Sequence, residues 1–286
     1  MEDWKLLTKP FNNEIKQVIH TQHLAVQLIS VTGRYLIPER KDQDNIAMQF
    51  VADNEMFLGK QHPDGWLVGL KLRNLVLQIR DDNMKVASEI PLKGKTFPEV
   101  LIEYKKELHK TGTDVSFIRT DQPYELPVDS LVEELFFRIG TSDAVNENIY
   151  YRHNASLVLH EISKEFAATS PVYTWPNHFD TGFSFPVKHN IDGNPSITIG
   201  MGWAIPDSIV DEPYYYLSFL SDEPVDELAL PGQLTTGQWM MPRWNGAVLK
   251  LSEMIIEDSA EKQLKQVKNF FESGVNRLTD HIKFST

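Results

Sequence analysis

The fold of this chain is best predicted from residues 174–205, which read TWPNHFDTGFSFPVKHNIDGNPSITIGMGWAI. Residues 190–195 have the composition of a hairpin turn, and large apolar residues alternate with small or polar ones on both sides of it. We therefore predict two strands, over residues 174–187 and 196–205. Small residues alternate with Ile199, Met201 and Trp203, a pattern typical of a strand that another group crosses closely.

The same order of elements is predicted in both halves of the chain. The second half adds a helix to about residue 168, two more strands and a closing helix with apolar residues at helical spacing: Ala260, Leu264, Val267, Phe271, Val275, Leu278 and Ile282. The first half has a helix over residues 13–32, four segments of alternating residues and a helix starting at Pro98. We therefore predict an α+β fold of two similarly built halves, each an antiparallel sheet of about four strands backed by helices. An internal duplication is one hypothesis for this recurrence.

The two halves differ in charge. A polar stretch near residue 140 separates an N-terminal α+β half, residues 1–140, from a C-terminal α+β half, residues 141–286. The first contains 18 basic and 21 acidic residues, and the second contains 10 and 19. No lysine or arginine occurs between Lys188 and Arg243. Such an acidic surface disfavours nucleic acid and anionic membranes, so we expect a small uncharged or cationic ligand.

Composition excludes several classes of protein. The 286 residues carry a formal net charge of −12 and include no cysteine, which excludes disulfides, thiol nucleophiles and thiolate metal sites. The first residues lack the apolar segment of a secretion signal, and no apolar run approaches the length of a membrane span. We therefore expect a cytoplasmic protein that does not enter a membrane.

The strongest candidates for chemistry are His178 and Asp180. If residues 175–185 are extended, these two side chains share one face, while Trp175 and three phenylalanines share the other. Two residues of strand span about 7 Å, a separation that a ligand or a water can bridge. We predict His178 as a general base oriented by Asp180. The alternative is structural: a buried hydrogen bond for Asp180 and a partly exposed His178.

Other side chains are predicted to line a ligand cleft: Trp175, Trp203, Tyr215, His153 and His160. The two histidines are seven residues apart on one helix and could face the cleft together with His178 and Asp180. Such spacings often arise by chance, so we predict no bound metal and no cofactor. His20 and His23 are predicted to be solvent-exposed residues of the first helix, which explains their presence without a role in a site.

Three hypotheses for function follow. The first is a small-molecule binding or accessory protein with a cleft near residues 175–180. The second is a hydrolase-like enzyme that uses His178 and Asp180, with a metal as an option. The third is a homodimeric interaction module that docks through the loop of residues 221–243, which contains Trp239-Met240-Met241. Whether the protein is an enzyme stays open.

The chain also resembles a bacterial family, domain of unknown function 5996. The resemblance covers most of the chain and rests on these motifs: Ser170-Pro171-Val172, Trp175, His178-Phe179-Asp180, a tyrosine-rich strand followed by Glu223-Pro224, Gly33-Arg34, Arg80-Asp81-Asp82 and a long C-terminal helix. Thr181-Gly182 stands where the family has Leu-Ala. The family has no established activity, so the resemblance directs attention to Asp180 without implying a mechanism.

Overall fold

The chain has an α+β fold with two antiparallel sheets of five and six strands. The computed structural model describes residues 3–40, 42–126, 135–222 and 232–284, with residues 281–284 described by their backbone. The predicted fold class is therefore confirmed, although each sheet has more strands than the four expected. None of the helices in these ranges has both the length and the apolar character of a membrane span.

The chain forms two compact units, and each takes segments from separate parts of the sequence. The first unit comprises Asn12–Arg152 and Tyr173–Phe179, and the second comprises Met1–Phe11, His153–Val172 and Asp180–Thr286. The division into residues 1–140 and 141–286 stays a prediction, because compactness alone does not define a domain. The internal duplication also stays a hypothesis.

The first unit contains a sheet whose strands pair in sequence order. Its elements are α1 (Asn13–Leu36), β1 (Gln49–Val51), β2 (Met56–Leu58), β3 (Leu67–Lys71), β4 (Val76–Arg80), β5 (Val86–Pro91), α2 (Phe97–His109), residues 142–152 of α3 (Ser142–Ile162) and β6 (Tyr173–Thr174). Short connections between β1 and β5 produce this antiparallel meander. Thr96 and Glu99 form a capping box that begins α2. Thr174 exchanges two backbone hydrogen bonds with Met48.

Helix α1 runs through the core of the first unit. The Asn12 side chain caps it by accepting a hydrogen bond from the Ile15 N–H at 3.0 Å. Residues 22–33 of the helix are all buried, including several polar side chains. His23 is 1% exposed, so the prediction that exposure explains it is wrong. A Cβ on Gly33 would lie 2.2 Å from the Asn45 carbonyl oxygen, so only glycine permits this close packing.

The second unit contains the larger share of the six-stranded sheet. Its elements are residues 153–162 of α3, β7 (Thr181–His189), β8 (Pro195–Ala204), β9 (Tyr214–Ser221), β10 (Gln238–Trp239), β11 (Gly246–Lys250), α4 (Leu251–Met254) and α5 (Ala260–Phe284). These five strands lie in the order β10-β11-β9-β8-β7. The predicted hairpin is β7 and β8, with Phe183 opposite Met201 and Gly182 opposite Gly202.

The sheet of the second unit has two unlike faces. Buried side chains alternate along the strands and form an inner face: Phe183, Phe185, Ile199, Met201, Trp203, Tyr215, Leu217, Ala247 and Leu249. Helix α5 packs against β9 and β11, and Phe271 of α5 contacts Tyr215 with ring centroids 5.9 Å apart. The other face carries glycine, serine and tyrosine, and we call it the outer face. Its central residues are Gly182, Ser184, Gly200, Gly202, Tyr214, Tyr216 and Ser218.

The prediction that residues 175–185 form one extended stretch is wrong. Residues 176–178 form a turn, Phe179 has a left-handed φ of 54°, and β7 begins at Thr181. The turn is fixed by contacts far away in sequence, because the Pro176 carbonyl accepts hydrogen bonds from His23 and Gln27 of α1. Alternation therefore does not place the side chains of His178 and Asp180 on one face.

Candidate functional site

Tyr216 and Asp180 form a hydrogen-bonded pair on the outer face. Tyr216 of β9 is opposite Gly202 of β8, which in turn is opposite Gly182 of β7. A Cβ on Gly202 would lie 2.5 Å from Tyr216 Cζ, and one on Gly182 would lie 2.7 Å from its hydroxyl. The missing side chains therefore let the tyrosine ring lie flat across two strands. Its hydroxyl donates to Asp180 Oδ2 at 2.7 Å.

A second pair of the same kind lies beside the first. The Tyr214 hydroxyl donates to Asp207 Oδ2 at 2.7 Å. The other oxygen of Asp207 accepts the backbone N–H groups of Ile209 and Val210, which fixes the carboxylate. The rings of Tyr214 and Tyr216 have centroids 6.4 Å apart and an interplanar angle of 60°. Both phenols are thus anchored by carboxylates on the same face.

Both phenols keep their protons over the physiological pH range. Burial raises the pKa of Tyr214, and the hydrogen bond to Asp207 raises it further. Burial also raises the pKa of Tyr216 well above its ordinary value, and the negative charge of Asp180 adds to the effect. The two hydroxyls therefore act as hydrogen-bond donors and not as bases.

Trp244 and Met240 pack with Tyr214 and Tyr216 on this face, and we call these four residues the aromatic cluster. The Trp244 ring lies edge-on to Tyr216, with centroids 6.4 Å apart and an interplanar angle of 78°. Both side chains pack on a small buried cluster that includes Tyr214, Val210 and Val248. Trp244 and Tyr216 are themselves only half-buried. The cluster thus presents aromatic surface close to two carboxylates.

Small residues continue the outer face next to Tyr216. Ser184, Gly200 and Ser218 lie opposite one another on β7, β8 and β9, and all three are half-buried. A Cβ on Gly200 would meet one atom within 4 Å, the Ser218 hydroxyl at 2.8 Å. The outer face therefore carries short, polar residues beside the aromatic cluster.

The structure divides the predicted site residues between the two units. Trp175 and His178 belong to the first unit, and the others belong to the second: Asp180, Trp203, Tyr215, His153 and His160. Trp175 is half-buried with its ring edge-on to Tyr173, at 6.2 Å, and His178 is exposed in the turn. Nothing tests the predicted roles of these residues, which stay predictions.

Trp203 and Tyr215 are paired across β8 and β9, and their side chains lie on the inner face. They are 3% and 2% exposed, and Trp4 stacks on Tyr215 at 6.5 Å. Alternation along β9 thus buries Tyr215 and places its neighbour Tyr216 on the face that carries Asp180.

The two histidines of α3 are held by backbone groups. His153 is 8% exposed, and its Nε2 lies 3.1 Å from the Asp3 carbonyl oxygen. His160 is exposed, and its Nδ1 lies 2.8 Å from the Ser156 carbonyl oxygen. Within the described ranges, no three histidine, aspartate or glutamate side chains are arranged to hold a metal ion.

The predicted interaction loop is partly described. Residues 223–231 of the 221–243 segment lie outside the described residues. In the remainder, the Trp239 indole donates to the Gly232 carbonyl at 3.0 Å, and β10 pairs with β11. Met241 is buried. At least part of this loop therefore packs on its own fold.

Residues 176–179 of the first unit form a second polar cluster, which we call the clamped turn. The His23 ring stacks on Phe179 with centroids 5.0 Å apart, and the Arg152 guanidinium lies 3.8 Å from the centroid of the same ring. Arg152 also donates to the Phe179 carbonyl at 2.8 Å. Burial lowers the pKa of His23 to about 4, so His23 is neutral and donates to Pro176. These interactions fix the backbone just before Asp180.

Sequence reasoning missed Tyr214, Tyr216 and Asp207 as members of a site. A signal was present, since tyrosines at alternate positions of one strand can share a face with the alternating glycines of the next. Comparisons of the chain with family models, with curated proteins and with solved structures find no match. The resemblance to domain of unknown function 5996 therefore stays a prediction.

Proposed function

We propose that this protein is a small-molecule binding or accessory protein that takes an organic cation on the outer face of the second unit. The observation that supports this most is the Asp180 carboxylate, which Tyr216 holds beside the aromatic cluster. Aromatic faces attract cations, most strongly when desolvated, and a nearby carboxylate adds charge complementarity. The sequence predicts a small ligand that is either uncharged or cationic, and we propose the cationic class.

The surrounding charge supports the same ligand class. No lysine or arginine occurs between Lys188 and Arg243, a stretch that contains β8, β9 and Asp207. Arg243 donates to the Ser208 carbonyl at 2.9 Å. Lys250 of β11 lies opposite Tyr214, but the stretch between Lys188 and Arg243 contains eight acidic residues. Such an excess of acidic groups attracts cations and repels phosphates and carboxylates.

The protonation of the phenols favours binding over proton transfer. A general base works best with a pKa near the operating pH. Tyr214 and Tyr216 have raised pKa values, so both stay protonated and orient the carboxylates. We therefore assign them a role in shaping the binding surface.

Choline tests this proposal, with its neutral isostere 3,3-dimethyl-1-butanol as a matched ligand. We expect calorimetry to detect choline binding and much weaker binding of the alcohol. Asp180→Asn should weaken choline binding about tenfold, the loss of about 1.4 kcal/mol. The control Asp192→Asn changes an exposed aspartate in the β7–β8 hairpin and should bind as the parent does. Equal binding of the two ligands, or an unchanged affinity in Asp180→Asn, would refute the proposal.

A further inference from the structure

The first unit has a cleft that is separate from the surface assigned to the organic cation. Its volume is about 510 Å³, and it lies between the outer side of α1 and residues 135–141. Its lining includes Glu14, Gln17 and His20 of α1 and Leu135, Phe136 and Arg138 of the facing segment. Pockets for small organic ligands usually have volumes of about 300–1,000 Å³, so this one is large enough for a ligand of that kind.

The facing segment is hydrogen-bonded to the fold at Phe137 and at Thr141. Phe137 exchanges backbone hydrogen bonds with Gly94 and Lys95, at 2.9 and 2.8 Å. The Thr141 hydroxyl donates to Glu14 Oε2 at 2.9 Å and so links the segment to α1. A cleft with fixed walls requires little ordering when a ligand binds, which favours affinity.

The cleft exposes apolar side chains next to a buried one. Leu135 is 44% exposed and Phe136 is 55% exposed, whereas Phe137 is 1% exposed. Neighbouring exposed apolar residues at the edge of a cleft are typical of a ligand-binding surface. The apolar part of a ligand would cover them.

The cleft is lined by one carboxylate, Glu14, and one guanidinium, Arg138. Glu14 accepts the Thr141 hydroxyl, whereas Arg138 makes no hydrogen bond or ion pair with any residue that the structure describes. Burial lowers the pKa of His20, and the charge of Lys16 lowers it further, so His20 is a neutral hydrogen-bonding group. Arg138 is therefore the cation that a ligand can reach, and guanidinium groups bind carboxylates through paired hydrogen bonds.

We propose that this cleft binds an organic monocarboxylate with an apolar chain. Its carboxylate pairs with Arg138, and its chain covers Leu135 and Phe136. The acidity of the protein as a whole does not oppose this, because residues 1–140 contain 18 basic and 21 acidic residues and are nearly balanced. The site is independent of the organic cation proposed for the second unit.

Titration calorimetry with octanoate tests this inference, with octylamine as the ligand of opposite charge. We expect the parent protein to bind octanoate at least tenfold more tightly than octylamine. Arg138→Ala should weaken octanoate binding about tenfold, and Phe136→Ser about fivefold. Both residues are exposed, so the fold should be retained, which circular dichroism checks.

Matched control variants separate a specific site from general binding. Arg119→Ala and Phe117→Ser change exposed residues of the same unit outside this cleft, and they should bind octanoate as the parent does. Asp180→Asn should also leave octanoate binding unchanged, which distinguishes this site from the one proposed for cations. The inference is overturned if the parent does not bind octanoate, if Arg138→Ala binds it equally well, or if Arg119→Ala loses as much affinity as Arg138→Ala.

Discussion

The clamped turn and the outer face use polar side chains in opposite ways. In the clamped turn, His23 and Arg152 are almost fully buried and donate to backbone carbonyl groups. On the outer face, Tyr216 donates to the side-chain carboxylate of Asp180, and both of these residues are half-buried. The first arrangement fixes the backbone, and the second orients a charged group that solvent can still reach.

This difference separates stability from recognition. A buried carbonyl that loses its donor costs the free energy of an unpaired polar group, so the clamped turn should matter for folding. On the outer face the hydroxyl of Tyr216 donates to a carboxylate that is only half-buried, so water can still solvate that carboxylate when the hydroxyl is lost. The outer face should therefore contribute less to stability and more to ligand affinity.

The largest effect is expected for Arg152→Ala. This variant removes a side chain that is 1% exposed, its contact with the Phe179 ring at 3.8 Å and its hydrogen bond to the Phe179 carbonyl. We expect the free energy of unfolding to fall by about 4 kcal/mol in urea titrations. Arg119→Ala, at an exposed position, should change it by less than about 0.5 kcal/mol. Similar values for the two variants would mean that the clamped turn is not structural.

Acid should destabilise the protein through His23. Burial lowers its pKa from 6.5 to about 4, so the unfolded chain binds a proton here more readily than the folded protein does. The contribution of His23 to the free energy of unfolding is fully present above pH 6.5. It falls by roughly 3 kcal/mol as the pH drops to about 4.

Chemical unfolding at pH 7 and pH 4 measures this loss, and His23→Gln isolates the contribution of the imidazole. An amide does not titrate in this range but can still donate to Pro176. The difference between the two pH values should be smaller in the variant by roughly 3 kcal/mol. An identical pH dependence in the parent and the variant would show that His23 is not the titrating group.

Local patterns in the sequence were sufficient to predict much of the second sheet. Alternation around residues 190–195 predicted the β7–β8 hairpin, and the small residues beside Met201 predicted a close crossing, which Tyr216 makes over Gly202. The helical spacing of apolar residues predicted α5. Each of these features depends on neighbours in one strand or one helix.

The turn that separates His178 from Asp180 could not be predicted in this way. Pro176 is held by His23 and Gln27, which are 153 and 149 residues away in sequence. The same long-range packing buries the side chain of His23 on α1, which the local sequence pattern predicted to be exposed. Residues brought together from distant segments leave no periodic signal, so the candidate site was located near Asp180 but its tyrosines were missed.

A pair of glycines tests the geometry of the outer face. Gly202→Ala places a Cβ 2.5 Å from the Tyr216 ring and 2.5 Å from the Thr181 carbonyl oxygen of β7, so both the ring and the adjacent backbone must shift. We expect this variant to lose about 2 kcal/mol of stability. Gly200→Ala meets the Ser218 hydroxyl, which can rotate, and should lose less than about 1 kcal/mol. Thermal unfolding compares the two, and an equal loss would contradict the flat placement of Tyr216.

The smallest effect on stability, and the most selective one, is expected for Tyr216→Phe. The variant keeps the ring on Gly202 and removes the hydroxyl that donates to Asp180, so the free energy of unfolding should fall by about 1 kcal/mol. Choline affinity should fall as well, because the carboxylate loses the group that orients it. Tyr215→Phe is the matched control, since Tyr215 is the next residue of β9 and packs its ring against Phe271 on the inner face. If choline calorimetry gave the same affinity for both variants, the outer face would be no more than a second packing surface, and its contrast with the clamped turn would disappear.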